Sequence, residues 1–109
     1  MDLDGREEVR SRPFLLAGVE GLTVHLYPQA RYPFSRKHAS LYLRGPTNVL
    51  LRVRLTLDNT THETGATLCA SGLWGRAEFC RAATSFSKAR VQILEVAVQV
   101  QEHCGVQLL

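Results

Sequence analysis

Val49-Leu50-Leu51-Arg52-Val53-Arg54-Leu55-Thr56-Leu57 is the stretch on which the fold turns. Along it Val49, Leu51, Val53, Leu55 and Leu57 share one face of an extended chain, while Arg52, Arg54, Thr56 and then Asp58 take the other. Side chains of a strand alternate with a period of two, whereas a helix would scatter both sets around its axis. The segment therefore reads as a half-buried strand, ended by the turn formers Asp58-Asn59-Thr60-Thr61. Upstream the same period recurs twice. Leu22, Val24 and Leu26 alternate with Thr23, His25 and Tyr27 before Pro28, and Ala39, Leu41 and Leu43 alternate with Ser40, Tyr42 and Arg44 before Gly45-Pro46. Downstream, short strands are expected over 66–70 and 76–81, around the link Ser71-Gly72-Leu73-Trp74-Gly75. A last strand is expected from Gln92 to Gln101, with Leu94, Val96, Val98 and Val100 inward and Glu95, Gln99 and Gln101 outward. Its β-branched content favours a strand, although Val91, Leu94 and Val98 also have helical spacing. Five or more short strands parted by turn signals predict an all-β domain, an antiparallel β-sandwich or barrel.

The chain has 109 residues, enough for one core and not for two. Residues 1–11 read as an acidic tail, with Asp2, Asp4, Glu7 and Glu8, which either folds back onto a basic surface or stays solvated; residues 12–109 read as the domain. No apolar run approaches the roughly 18 residues of a membrane span. The first residues lack the apolar core of a secretory signal, so the expected setting is aqueous and cytoplasmic. Cys69, Cys80 and Cys104 are odd in number and scattered, which predicts free, buried thiols rather than a disulfide framework or a zinc site.

Net charge is +3, unevenly laid out. Between Gly21 and Leu57 there is no acidic residue, while Arg31, Arg36, Lys37, Arg44, Arg52 and Arg54 all lie there. The surface they form should be positive, either a solvated face or one that attracts an acidic protein or peptide. Nucleic acid normally requires a denser cationic stripe with more exposed aromatics than Tyr27, Tyr32, Phe34 and Tyr42 supply. No nucleophile elbow, phosphate-cradling loop or His-Glu-x-x-His stands in the chain. His25, His38, His62 and His103 are far apart, the carboxylates beyond the tail are widely separated, and Cys80 near Glu78 has no evident activating base. No catalytic residue, metal or cofactor is expected.

Taken in order, the motifs resemble those of the meprin and TRAF homology (MATH, or TRAF-C) family. Arg12-Pro13-Phe14-Leu15-Leu16-Ala17-Gly18-Val19 is similar to the family's opening segment, and Leu22-Thr23-Val24-His25-Leu26-Tyr27-Pro28 to its first long strand. Ser40-Leu41-Tyr42-Leu43, Val53-Arg54-Leu55-Thr56-Leu57-Asp58-Asn59 and Leu73-Trp74-Gly75-Arg76-Ala77-Glu78-Phe79 resemble later ones, and Gln92 to Val100 stands where the closing strand would be. The likeness spans residues 12–102. It departs from the family at Gly21-Leu22, where a tryptophan is usual, at Arg76 in place of a phenylalanine, and at Val53 in place of an aromatic.

The resemblance implies a TRAF/MATH-like sandwich acting as a protein-interaction module, which takes a peptide in a shallow groove across one sheet, partly by extending that sheet. Carried over by position, the groove holds Tyr42, Val53, Trp74 and Gly75, with Tyr42 and Trp74 as aromatic anchors, and Arg52, Arg54 and Arg76 would give it a positive rim. The alternative is a structural subunit, a sandwich packed inside a larger assembly whose groove has lost its peptide role.

Overall fold

The segment 49–57 is the axis of one of two sheets. The computed structural model describes residues 8–31, 33–47, 49–64, 67–68, 72–83 and 86–98. Among them are strands and no helix: β1 (Val9–Arg10), β2 (Phe14–Leu16), β3 (Val19–Tyr27), β4 (His38–Arg44), β5 (Val49–Leu57), β6 (Thr60–Glu63), β7 (Thr67–Leu68), β8 (Leu73–Arg81) and β9 (Ala89–Val98). The first sheet runs β1-β3-β4-β8, with β2 also on β3. In the second, β5 pairs with β9 along one side and with β6 and β7 along the other. Every pairing is antiparallel.

Local chemistry explains the tight links. The β2–β3 hairpin turns on Ala17 and Gly18, at φ 52° and 77°, the left-handed pair that a two-residue hairpin needs to match strand twist. The β5–β6 hairpin turns on Asp58-Asn59, with Asp58 at φ 49°. Asp58 is held there by the segment before β9: its carboxylate accepts from the Ser87 hydroxyl at 3.0 Å and the Lys88 amide at 2.9 Å.

The two sheets face each other as an antiparallel β-sandwich. Leu22 and Leu26 of β3 and Leu41 and Leu43 of β4 pack in one cluster with Leu51, Val53, Leu55 and Leu57 of β5. Trp74 and Phe79 of β8 and Phe86 complete it. Each such side chain contributes about 1.5–3 kcal/mol of transfer free energy, an upper value because a denatured chain already hides some apolar surface. His62 ties the sheets together. From β6 its Nε2 meets the Phe79 carbonyl of β8 at 2.8 Å, and its ring stands edge-on to Phe79 at 4.7 Å.

The alternating strands lie where the periodicity puts them, with three adjustments. The strand expected at 76–81 begins at Leu73, because Trp74 and Gly75 pair with Leu43 and Tyr42. The closing strand begins at Ala89 and changes phase within its length: Val53 pairs with Ile93 and Arg52 with Glu95, leaving Leu94 as an extra residue at a bulge. Val91 and Ile93 are therefore the residues packed on the core, not Leu94, and Val96, although it pairs with Leu51, is 38% exposed rather than inward. The turn after β5 is also shorter than Asp58–Thr61, since Thr60 and Thr61 already pair with Leu57 and Thr56. Within the stretch read as a tail, Val9 and Arg10 pair with Leu26 and His25. Among the described cysteines Cys80 is free and half-buried, and burial together with the charge of Asp58 raises its thiol pKa. Expectations for Tyr32, Cys69, Ser71, Gln99, Val100, Gln101, His103 and Cys104 lie outside the described residues.

Candidate functional site

The outer face of the first sheet is built by the residues that alternate with its core leucines. Register places His25 opposite Tyr42, Tyr27 opposite Ser40 and Thr23 opposite Arg44, so that these six side chains share one surface. β1 adds Arg10 opposite His25 at the margin. The loop between β3 and β4 adds Arg31 and Phe34, which a turn brings together through a 2.9 Å hydrogen bond from the Phe34 amide to the Arg31 carbonyl. The result is a cleft of about 260 Å³ whose wall includes Arg10, Arg31 and Arg44, the rings of His25, Tyr27, Phe34 and Tyr42, and Leu73 at the start of β8. Glu8 is its one acidic lining residue among those described.

Internal contacts fix this wall. Tyr27 and Tyr42 meet edge to face at 6.2 Å, a diagonal cross-strand pair. The Arg31 guanidinium lies over the Tyr27 ring at 5.2 Å, as a cation–π pair. Ser40, buried beneath the rings, donates its hydroxyl proton to the Ala77 carbonyl of β8. His25 is 7% exposed and lies between Thr23 Oγ1, 2.9 Å from its Nε2, and Glu8, 3.5 Å from its Nδ1. Burial, then the charges of Arg10 and Arg44, lower the His25 pKa. The Glu8 carboxylate acts in the opposite sense but is itself ion-paired with Arg10, so the net direction is down. Burial pushes the Tyr42 phenol up, partly offset by its hydrogen bond with Ser40.

Guanidinium donors beside fixed aromatic faces can receive an acidic side chain together with the apolar part of its chain. No protein-family model matches this chain, and no curated protein matches it. Among the described residues, no group of three or more His, Cys, Asp or Glu is placed to hold a metal ion.

The residues expected to form one groove and its rim are distributed over four environments. Tyr42 lines the outer cleft, and Gly75 pairs directly opposite it on β8. Val53 and Trp74, at 0% and 2% exposure, stand together between the sheets. Their burial follows from phase: Val53 alternates with Arg52 and Arg54, and Trp74 pairs with the inward Leu43. Arg54 points outward from the second sheet, on the far side of the sandwich, where it pairs with Glu63 at 3.5 Å and donates to Gln92 Oε1 at 3.2 Å. Arg52 beside it pairs with Glu95 at 3.5 Å. Arg76 is exposed on β8 and is not part of the cleft wall. Arg10, His25, Tyr27, Arg31, Phe34 and Arg44 line the cleft without having been singled out as a site. The signal for three of them was present in the outward sets of the strands at 22–27 and 39–44; what the sequence lacked was the adjacency of those strands.

Proposed function

We propose that this domain is a protein-interaction module that receives an acidic segment of a partner protein in the outer cleft of the first sheet, without catalysis. One observation carries the reading: Arg10, Arg31 and Arg44 converge on a preformed aromatic wall containing a single carboxylate. The adjoining strand β8 is the last in this sheet's strand order among the described residues, so an extended segment can add beside it while directing alternate side chains into the cleft. The resemblance to MATH domains supports the same mode of binding, with the contact surface moved from Val53 and Trp74 to the outward residues around Tyr42. A cytoplasmic setting agrees with this reading.

The test is calorimetric titration of the folded domain with a synthetic peptide in which glutamates alternate with leucines. Tyr42→Ala is expected to weaken binding by about 2 kcal/mol, as truncating an aromatic anchor does. Arg44→Ala is expected to cost less, with an effect that shrinks as salt screens the charge. Arg54→Ala, on the opposite face, should leave affinity unchanged. If folded Tyr42→Ala and Arg44→Ala bind as the parent does, the cleft is not the site, and the domain is better read as a subunit packed permanently within an assembly.

A further inference from the structure

Where β4 begins and β8 ends, a second cleft of about 560 Å³ opens on different chemistry. It is lined by Gln29, Arg36, Lys37, His38, Arg81 and Ala82, with no carboxylate among them. The backbone holds this corner firmly. His38 pairs with Arg81 across the strands, the Ala82 amide donates to the Lys37 carbonyl at 2.9 Å, and the Ala30 amide donates to the His38 carbonyl at 2.8 Å. Gln29 Oε1 accepts from Arg36 Nη2 at 2.9 Å, which fixes one guanidinium at the rim. Among the described residues Arg36, Lys37 and Arg81 form no ion pair. Glu78, whose carboxylate accepts from the Ser35 amide at 3.2 Å, is not part of the wall. Nδ1 of His38 is the sole buried side-chain nitrogen or oxygen among the described residues that lacks a hydrogen-bond partner. Native proteins rarely leave such an atom unsatisfied unless a water or an ion completes it.

The geometry points to a binding site for a phosphate monoester dianion, carried by a phosphorylated side chain of a protein segment. Three cations converge from two separate parts of the chain, so a single carboxylate would leave most of their mutual repulsion in place. A phosphate carries about −1.5 to −2 charges at neutral pH and three acceptor oxygens, which matches several donors at once. This inference stands apart from the outer cleft, because its lining residues are different.

NMR titration of the 15N-labelled domain tests it, with inorganic phosphate and with a short phosphoserine peptide as probes, and sodium chloride at matched ionic strength as control. Both probes should give saturable shifts at the amides of Lys37, His38, Arg81 and Ala82, and chloride none. Tighter binding of the peptide assigns the dianion to a protein segment, and tighter binding of inorganic phosphate assigns it to the free ion; the second result overturns the protein source while keeping the site. Arg81→Gln and Lys37→Gln replace exposed side chains, and each should weaken binding by about tenfold, the loss of one charge-assisted contact. Neither should change the affinity of the outer cleft for the acidic peptide. Shifts that follow ionic strength alone, shifts centred on Arg10, Arg31 and Arg44, or undiminished binding by both variants would each overturn the proposal.

Discussion

His25, Trp74 and Gly75 each owe their role to the face or backbone conformation they occupy rather than to residue type. His25 has a pKa held below its ordinary value of 6.5 by burial and by Arg10 and Arg44, so the unfolded chain takes up a proton more readily than the folded one. Its contribution to stability is full above pH 6.5 and is lost as pH falls from there towards its folded value. Urea melts of the parent and of His25→Gln across this window should show the parent losing more stability with acidification, and equal slopes would contradict the burial described. Trp74→Ala opens a cavity between the sheets and should cost about 4 kcal/mol. Gly75, at φ 144°, pairs with Tyr42, and a Cβ there would lie 2.8 Å from the Tyr42 Cα and closer still to the Leu41 carbonyl oxygen. Gly75→Ala should therefore cost about 3 kcal/mol or more in the same melts, because rigid backbone rather than a movable side chain stands in the way. Beside its expected place in the groove, Gly75 carries a steric requirement for glycine that only the pairing of β4 with β8 reveals.

The long strands were legible because β4, β5 and the part of β3 from Leu22 onward each keep one phase, with apolar residues on one side and polar groups on the other, while a bulge shifts β3 between Val19 and Leu22. β9 was harder to read for a physical reason. Its bulge at Leu94 shifts the pairing by one residue, so Ala89, Val91 and Ile93 stand opposite Leu57, Leu55 and Val53 and are followed by Val96 and Val98 opposite Leu51 and Val49, a gap of three that imitates a helical stripe. Deleting Leu94 restores simple alternation without disturbing the pairs on either side. Deleting Val96 instead brings Ala97 opposite Leu51 and turns the rest of the strand over. The Leu94 deletion should unfold cooperatively and be about 2 kcal/mol more stable than the Val96 deletion, as judged by urea denaturation. If the two are equal, the register given for β9 is wrong. The candidate site was less legible than the strands, since alternation tells which residues share a face within one strand but not which strand lies beside it.

Taken as a molecule, the sandwich sorts its cations by sheet. The sequence shows one basic stretch from Gly21 to Leu57, yet Arg52 and Arg54 meet Glu95 and Glu63 on the second sheet, while Arg10, Arg31 and Arg44 gather on the first and Arg36, Lys37 and Arg81 at its end. The acidic partners lie outside the basic stretch, Glu63 on the next strand and Glu95 on the last, so linear charge layout overstated the potential of one face and missed its concentration on the other. Two of the strands bordering the sheets among the described residues, β8 and β9, each carry a register shift and exposed charges, among them Arg76 and Glu78 on β8 and Arg90 and Glu95 on β9. A flat apolar border offers a template on which identical chains stack, and a bent, charged one does not. Replacing both Arg76 and Glu78 with valine should therefore give a protein that forms thioflavin-positive fibrils on standing under conditions where the parent forms none, with its fold intact beforehand. On the proposed mode of binding, the guard against amyloid and the opening for an added strand are the same border: β8 would admit a guest whose side chains answer its charges and turn away copies of itself.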